Sequence, residues 1–154
     1  MAHIPVNHPL RPLYRVISAV IGLYVLVFGL LGVIETNGGP AFGKDGAAWV
    51  LGLRTNLAFS VISIIWGAVI FVAAIYGRNL FHYLAMLAGV VFMLNGFLMM
   101  ALMQTSANVF AFSMVNCIVS FVFGMAVLAS GLYSKVGTDE EAEAARRWQL
   151  TGGM

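Results

Sequence analysis

Charge is what this chain lacks. Of its 154 residues only 9% are Asp, Glu, Lys or Arg, 61% are hydrophobic, and the mean hydropathy is +0.94. An average soluble domain is about a quarter charged, so this chain cannot cover a globular surface with polar groups, and lipid is the alternative solvent. Its one cysteine, Cys117, excludes an intrachain disulfide and a Cys-rich metal site. A net charge of +2 is too small to argue for nucleic acid as a partner. No Asp, Glu, Lys or Arg falls inside the long apolar stretches; Arg15 and Glu35 sit at ends. Proton relays and ion-coupled transporters draw on such buried charges. There is no Ser/His/Asp set, metal-ligand cluster, or Walker or Rossmann glycine loop. The expectation is a chain that is not an enzyme and holds neither cofactor nor metal.

What is there is apolar length. Val16 to Ile34 gives 19 uncharged residues, Thr55 to Gly77 gives 23, and Asn79 to Ser134 gives 56. A bilayer core needs about 20 apolar residues per helix. The third stretch therefore holds two spans, divided at its only polar run, Gln104-Thr105-Ser106-Ala107-Asn108. This predicts an all-α membrane protein with helices near 13–35, 56–77, 79–103 and 108–134, because open sheets leave backbone groups unsatisfied in lipid. The first stretch reads as a retained helix: it exceeds a signal-peptide core and no A-x-A-type site follows.

With the N-terminus inside, Arg11, Arg15, Arg78, Lys135, Arg146 and Arg147 are cytoplasmic, and Lys44 and Arg54 are outside. Six against two favours both termini on the cytoplasmic side. Residues 1–12 form an N-terminal arm, extended up to Pro12, which starts the first helix. The outer loop runs to Arg54, and Ala47–Leu53 with Trp49 is expected along the interface. Residues 135–154 form a cytoplasmic tail. Thr138 and Glu141 have capping-box spacing, Glu143 can pair with Arg146 or Arg147, and a short surface helix is expected over about 139–149, ended by Gly152-Gly153.

The chain also repeats itself. Val61–Arg78 (VISIIWGAVIFVAAIYGR) aligns without gaps to Ile118–Lys135 (IVSFVFGMAVLASGLYSK), pairing Ser63 with Ser120, Gly67 with Gly124, Tyr76 with Tyr133 and Arg78 with Lys135. Helices one and three align as well, Gly22 with Gly89 and Gly29 with Gly96. Two tandem copies of one helical hairpin account for this. Gly22/Gly29, Gly67/Ala74, Gly89/Gly96 and Gly124/Gly131 put small residues seven apart on every helix. Such residues let membrane helices approach closely on one left-handed seam. An antiparallel four-helix bundle is expected, which Leu at Gly96 or Gly124 would disrupt.

Intramembrane polar residues are the default functional candidates. Asn95 and Asn116 each lie about 8 residues, ~12 Å at helical rise, below the second outer turn, with Ser63 and Tyr24 at similar depth. Together they could form an outward-facing ligand pocket, or simply hydrogen-bond one another and hold the bundle in register. His82, in the first turn of helix three, reads as an interfacial histidine; haem ligation needs a second membrane histidine, and His3 and His8 lie in the arm. Met86, Met93, Met99, Met100 and Met103 could line a Cu(I) path, but methionine is also an ordinary apolar filler. Arg11, Arg15, Arg78 and Lys135 would form a basic rim for anionic lipid headgroups.

Asn7-His8-Pro9-Leu10-Arg11-Pro12-Leu13-Tyr14-Arg15, Leu51-Gly52-Leu53-Arg54-Thr55-Asn56, Gly77-Arg78-Asn79, Ile118-Val119-Ser120-Phe121 and Gly131-Leu132-Tyr133 resemble an actinobacterial family of small four-helix membrane proteins, known only as a domain of unknown function. The resemblance covers about residues 5–137, implies an actinomycete plasma-membrane protein, and brings no catalytic residues. The leading expectation is a non-enzymatic accessory or scaffold subunit that packs against a larger membrane complex or a second copy. An alternative is a binding or transport module for a lipid or small apolar molecule. A third is a subunit of a redox or quinone complex whose partner supplies the cofactor.

Overall fold

In the computed structural model, which describes residues 5–151, the chain is all-helical apart from one small hairpin. The order is α1 (Arg11–Glu35), β1 (Ala48–Val50), β2 (Leu53–Thr55), α2 (Leu57–Tyr76), α3 (Arg78–Leu102), α4 (Met114–Leu132) and α5 (Asp139–Thr151). Four of these, α1 to α4, are long and apolar enough to cross a membrane. Their outer faces are apolar as well. On α1, Leu13, Val16, Val20, Leu23, Val27, Leu30 and Ile34 form a continuous exposed stripe. Contiguous apolar patches of that size are not left to water.

Local chemistry sets the helix ends. Pro12 lies in the first turn of α1, where no backbone donor is needed. Asn56 caps α2 by accepting from the Phe59 amide at 2.9 Å, and Ser113 caps α4 through the Asn116 amide at 3.4 Å. Gly77 alone separates α2 from α3, at a φ of +72° that glycine adopts without strain.

Three details depart from expectation. Helix α4 begins at Met114 rather than 108, because the buried Asn108 side chain holds 103–112 as a loop. It donates to the carbonyls of Met103 (3.1 Å) and Phe112 (2.8 Å) and accepts from the Phe112 amide (2.7 Å). The Ala47–Leu53 segment is not a simple interfacial stretch. Residues 48–55 fold into an antiparallel hairpin turned at Leu51-Gly52, both at positive φ as a type I′ turn requires. In α5 the Thr138/Glu141 capping box forms (3.0 and 3.3 Å), but Glu143 makes no ion pair among the described residues. The Gly152-Gly153 stop lies outside them.

Helix α1 packs extensively on α2, and α3 on α4; the α1–α4 and α2–α3 contacts are smaller. Glycines make the close approaches. A Cβ on Gly22 would meet the Phe71 backbone nitrogen at 2.7 Å, one on Gly29 the Ile64 nitrogen at 2.7 Å, and one on Gly131 the Met86 nitrogen at 2.7 Å. Gly32, absent from the expected seam, is packed against Ser60 and Thr55.

Two buried hydroxyls, Ser18 Oγ on α1 and Ser134 Oγ, have no hydrogen-bond partner among the described residues. An unpaired buried polar group costs about 1–3 kcal/mol. Ser18→Ala is therefore expected to raise the thermal midpoint of the detergent-solubilised protein by several degrees, the shift ~1 kcal/mol produces in a domain of this size. An unchanged or lower midpoint would count against an unpaired hydroxyl there.

At one end of the helices the segment before α1 meets the segment after α4. Asn7 exchanges side-chain bonds with the Gly137 carbonyl (3.0 Å) and amide (3.3 Å), and Asn79 accepts from the Val136 amide (2.8 Å). At the other end the β-hairpin, the 36–47 loop and the 103–113 loop come together. Asn56, fully buried, donates to the carbonyls of Gly43 (3.1 Å) and Val109 (2.7 Å) to join the two loops.

Candidate functional site

A cavity of about 260 Å³ lies toward the hairpin end, and all four long helices and β2 contribute to its wall. Tyr24 from α1, Ser63 from α2, Asn95 from α3 and Asn116 from α4 all line it. Aromatic rings make up much of the wall. Tyr24, Trp66, Phe92 and Phe123 supply one aromatic from each helix, and Phe28, Phe59 and Phe110 add three more. Tyr24 meets Phe123 edge-on (5.5 Å between centroids, 85°), and Trp66 meets Phe92 likewise (6.3 Å, 79°). These are the separations and angles that aromatic quadrupoles favour. No Asp, Glu, Lys, Arg, His or Cys lines the space.

The four polar residues do not bond to one another, and three of them are already engaged. The Tyr24 hydroxyl donates to the Leu51 carbonyl at 2.8 Å, which fastens the tip of the hairpin to α1. Asn116 pairs with Arg54 as a neighbouring strand would, accepting from its amide (2.9 Å) and donating to its carbonyl (2.7 Å). It also accepts from the Ser113 hydroxyl at 2.7 Å. Asn116 therefore sits in the first turn of α4, not some 8 residues deep, because the preceding loop runs through Ser113. Ser63 donates to the Phe59 carbonyl of its own helix at 2.7 Å. Asn95 differs: its partly buried amide has no hydrogen bond among the described residues. The same holds for Ser120, which also lines the cavity. Sequence reasoning left Ser120 out of the candidate set, although its alignment with Ser63 was the available signal.

The other candidates are dispersed. His82 does not face outward; it is buried between α3 and α4, with Nδ1 2.7 Å from the Gly131 carbonyl. The Arg15 guanidinium donates to the last carbonyls of α2, Ala74 (2.8 Å) and Ile75 (2.6 Å). That is where a helix C-terminus favours a cation. It is thus a helix cap, while Arg78 stays exposed and Arg11 and Lys135 partly so. Arg15→Met should lower the thermal midpoint, since two charge-assisted bonds are lost at about 1.5 kcal/mol or more each; equal midpoints for Arg15→Met and parent would argue against the cap. Among the described residues no group of three or more His, Cys, Asp or Glu could hold a metal.

Fold and site together define an all-helical protein whose four apolar helices, each long enough to cross a membrane, surround a small uncharged cavity. Comparison with family models, with curated proteins and with solved structures finds no match.

Proposed function

We propose that the four apolar helices cross the plasma membrane as an antiparallel bundle of two tandem hairpins. In this reading the bundle is a non-enzymatic binding module that holds a small apolar molecule between the hairpins. The cavity carries the reading. It has contributions from all four helices, contains no charge, and includes polar side chains that have no hydrogen bond among the described residues. Ligand sites are commonly apolar hollows of this kind with a few directed polar groups.

Contacts that recur at fixed offsets support the tandem arrangement. Gly22 approaches Gly67 and Phe71; positions 67 and 57 further on, Gly89 approaches Leu128, and Gly124 the Gly89 carbonyl. Arg15 on the Ala74 carbonyl has its counterpart in His82 on the Gly131 carbonyl. The caps Asn56 and Ser113 correspond too. Rising numbers on α1 meet falling numbers on α2, Gly22 with Phe71 and Gly29 with Ile64, as opposed helices require. Cytoplasmic termini are favoured because Arg11, Arg15, Arg78 and Lys135 gather at the end where Asn7 meets Gly137, and Lys44 and Arg54 lie at the other end. Anionic headgroups would pair with Arg11, Arg78 and Lys135. Membership of the actinobacterial four-helix family is proposed from the loop and helix-end residues quoted above. An accessory role beside a larger membrane complex is compatible with the exposed apolar stripes, which a partner helix or lipid covers equally well.

Native mass spectrometry of the protein released from mild detergent tests the binding reading. The expected result is a small-molecule adduct that Val119→Phe, which fills part of the cavity, removes. A bare protein in both, co-purifying with a stoichiometric partner chain, would favour the accessory role.

A further inference from the structure

Building on the cavity as a binding site, we infer that its ligand is a neutral, flat, two-ring molecule bearing a carbonyl oxygen, held by hydrogen bonds from Asn95 and Ser120. Four observations lead there. Size is the first: the hollow of about 260 Å³ exceeds the ~150 Å³ apolar cavity that takes one benzene ring, and a fused pair of rings is the next step up. Shape is the second. Tyr24, Trp66, Phe92 and Phe123 bring one ring from each helix, already arranged as two edge-to-face pairs, and a flat guest continues that packing.

Charge is the third. An ion would enter without a counter-charge, because the only ionisable lining group is Tyr24 and its hydroxyl is held by Leu51; an unpaired buried ion is strongly disfavoured. The fourth is the unmatched pair of donors. The Asn95 amide and the Ser120 hydroxyl come from helices α3 and α4, which pack closely here, since a Cβ on Gly96 would lie 3.3 Å from Ser120 Cβ. Neither has a partner among the described residues. A carbonyl oxygen has two lone pairs and can accept from both. In the first hairpin the corresponding positions are Phe28, which packs on Phe59 (5.7 Å, 63°), and Ser63, whose hydroxyl is taken by the Phe59 carbonyl (2.7 Å). The donors left for a ligand are therefore those of the second hairpin.

The test uses Trp66 as reporter in a Trp49→Phe, Trp148→Phe background, which leaves it the single tryptophan. The protein is reconstituted in lipid nanodiscs and titrated with 2-methyl-1,4-naphthoquinone, a quencher. Displacement by 2-methylnaphthalene, the same rings without carbonyls, is read alongside. Saturable quenching is expected, weakened about tenfold by Asn95→Leu, as for a lost hydrogen bond near 1.4 kcal/mol. Ser120→Ala should weaken it in the same direction, and displacement by the hydrocarbon should be insensitive to both changes. Saturable quenching unaltered by both variants would overturn the carbonyl contact while leaving the cavity a binding site. Quenching that rises linearly with quinone, in parent and Val119→Phe alike, would remove the binding reading itself.

Discussion

Gly67→Leu is expected to yield no monodisperse protein in mild detergent, and Gly124→Leu the same. A Cβ at Gly67 would run into the backbone nitrogen and Cα of Leu26 and lie 2.9 Å from the Gly22 carbonyl oxygen. At Gly124 it would meet the Met93 backbone nitrogen and the Gly89 carbonyl, each at 2.9 Å. Backbone cannot rotate away as a side chain can, so the helices must separate along the seam that holds each pair. Overpacking a core costs about 1–3 kcal/mol and occasionally more; a leucine against backbone belongs at or above the upper end. Helix association in lipid depends on such close packing, because burying apolar surface gains little when the solvent is itself apolar. Gly96 is the contrast. Its nearest neighbours lie at 3.1–3.4 Å, the Cys117 carbonyl closest and the Ser120 and Phe121 side chains next, so Gly96→Ala should fold with a small loss of thermal stability. Size-exclusion profiles and melting curves of the three variants decide the matter. A parental profile for Gly67→Leu would refute the seam. Spacing in the sequence ranks Gly96 and Gly124 alike; only the interhelical distances separate them.

The second large effect is expected at Asn116. Asn116→Leu should free the β-hairpin from α4 while the four long helices stay folded. The substitution leaves the Arg54 amide and carbonyl, and the Ser113 hydroxyl, without their partner. Orphaned groups cost about 1–3 kcal/mol each. Water reaching the loosened strand recovers part of this, and a net loss near 2.7 kcal/mol corresponds to about a hundredfold. Hydrogen exchange at the Arg54 amide should therefore speed up about a hundredfold, with exchange in the middle of α2 and α4 unchanged. Asn116→Asp keeps the acceptor and loses the donor, so it should fall between. Unaltered exchange at Arg54 in the leucine variant would show that Asn116 does not hold the hairpin. Tyr24→Phe, which removes the second attachment at Leu51, should add to the effect.

These two residues show how far the candidate site could be read in advance. Counting depth along each apolar run brought Tyr24, Ser63, Asn95 and Asn116 to one level, and all four line one cavity. Counting could not tell which of them are already engaged. Asn116 pairs with Arg54, 62 positions away, and nothing local to either residue signals it. The hairpin was missed because its strands are three residues long, too short for an alternating pattern to register. The start of α4 was misplaced because the apolar run from 109 to 112 reads as helix, whereas Asn108 bonds it into a loop. His82 was assigned to the surface because a histidine beside a turn ordinarily snorkels; the Gly131 carbonyl gave it a buried partner instead.

The sequence by itself determined the elements. Charge is so scarce, and apolar runs so long, that four helices long and apolar enough to cross a membrane follow from the requirement that backbone groups be satisfied within each segment. That requirement is local and needs no knowledge of neighbours. The tertiary structure alone decided which glycines touch backbone, which polar side chains are occupied, and that Asn95 and Ser120 are left facing a hollow ringed by aromatics. Those are properties of distance between segments remote in the chain. Periodicity along one helix specifies which face a residue occupies but not what stands opposite it.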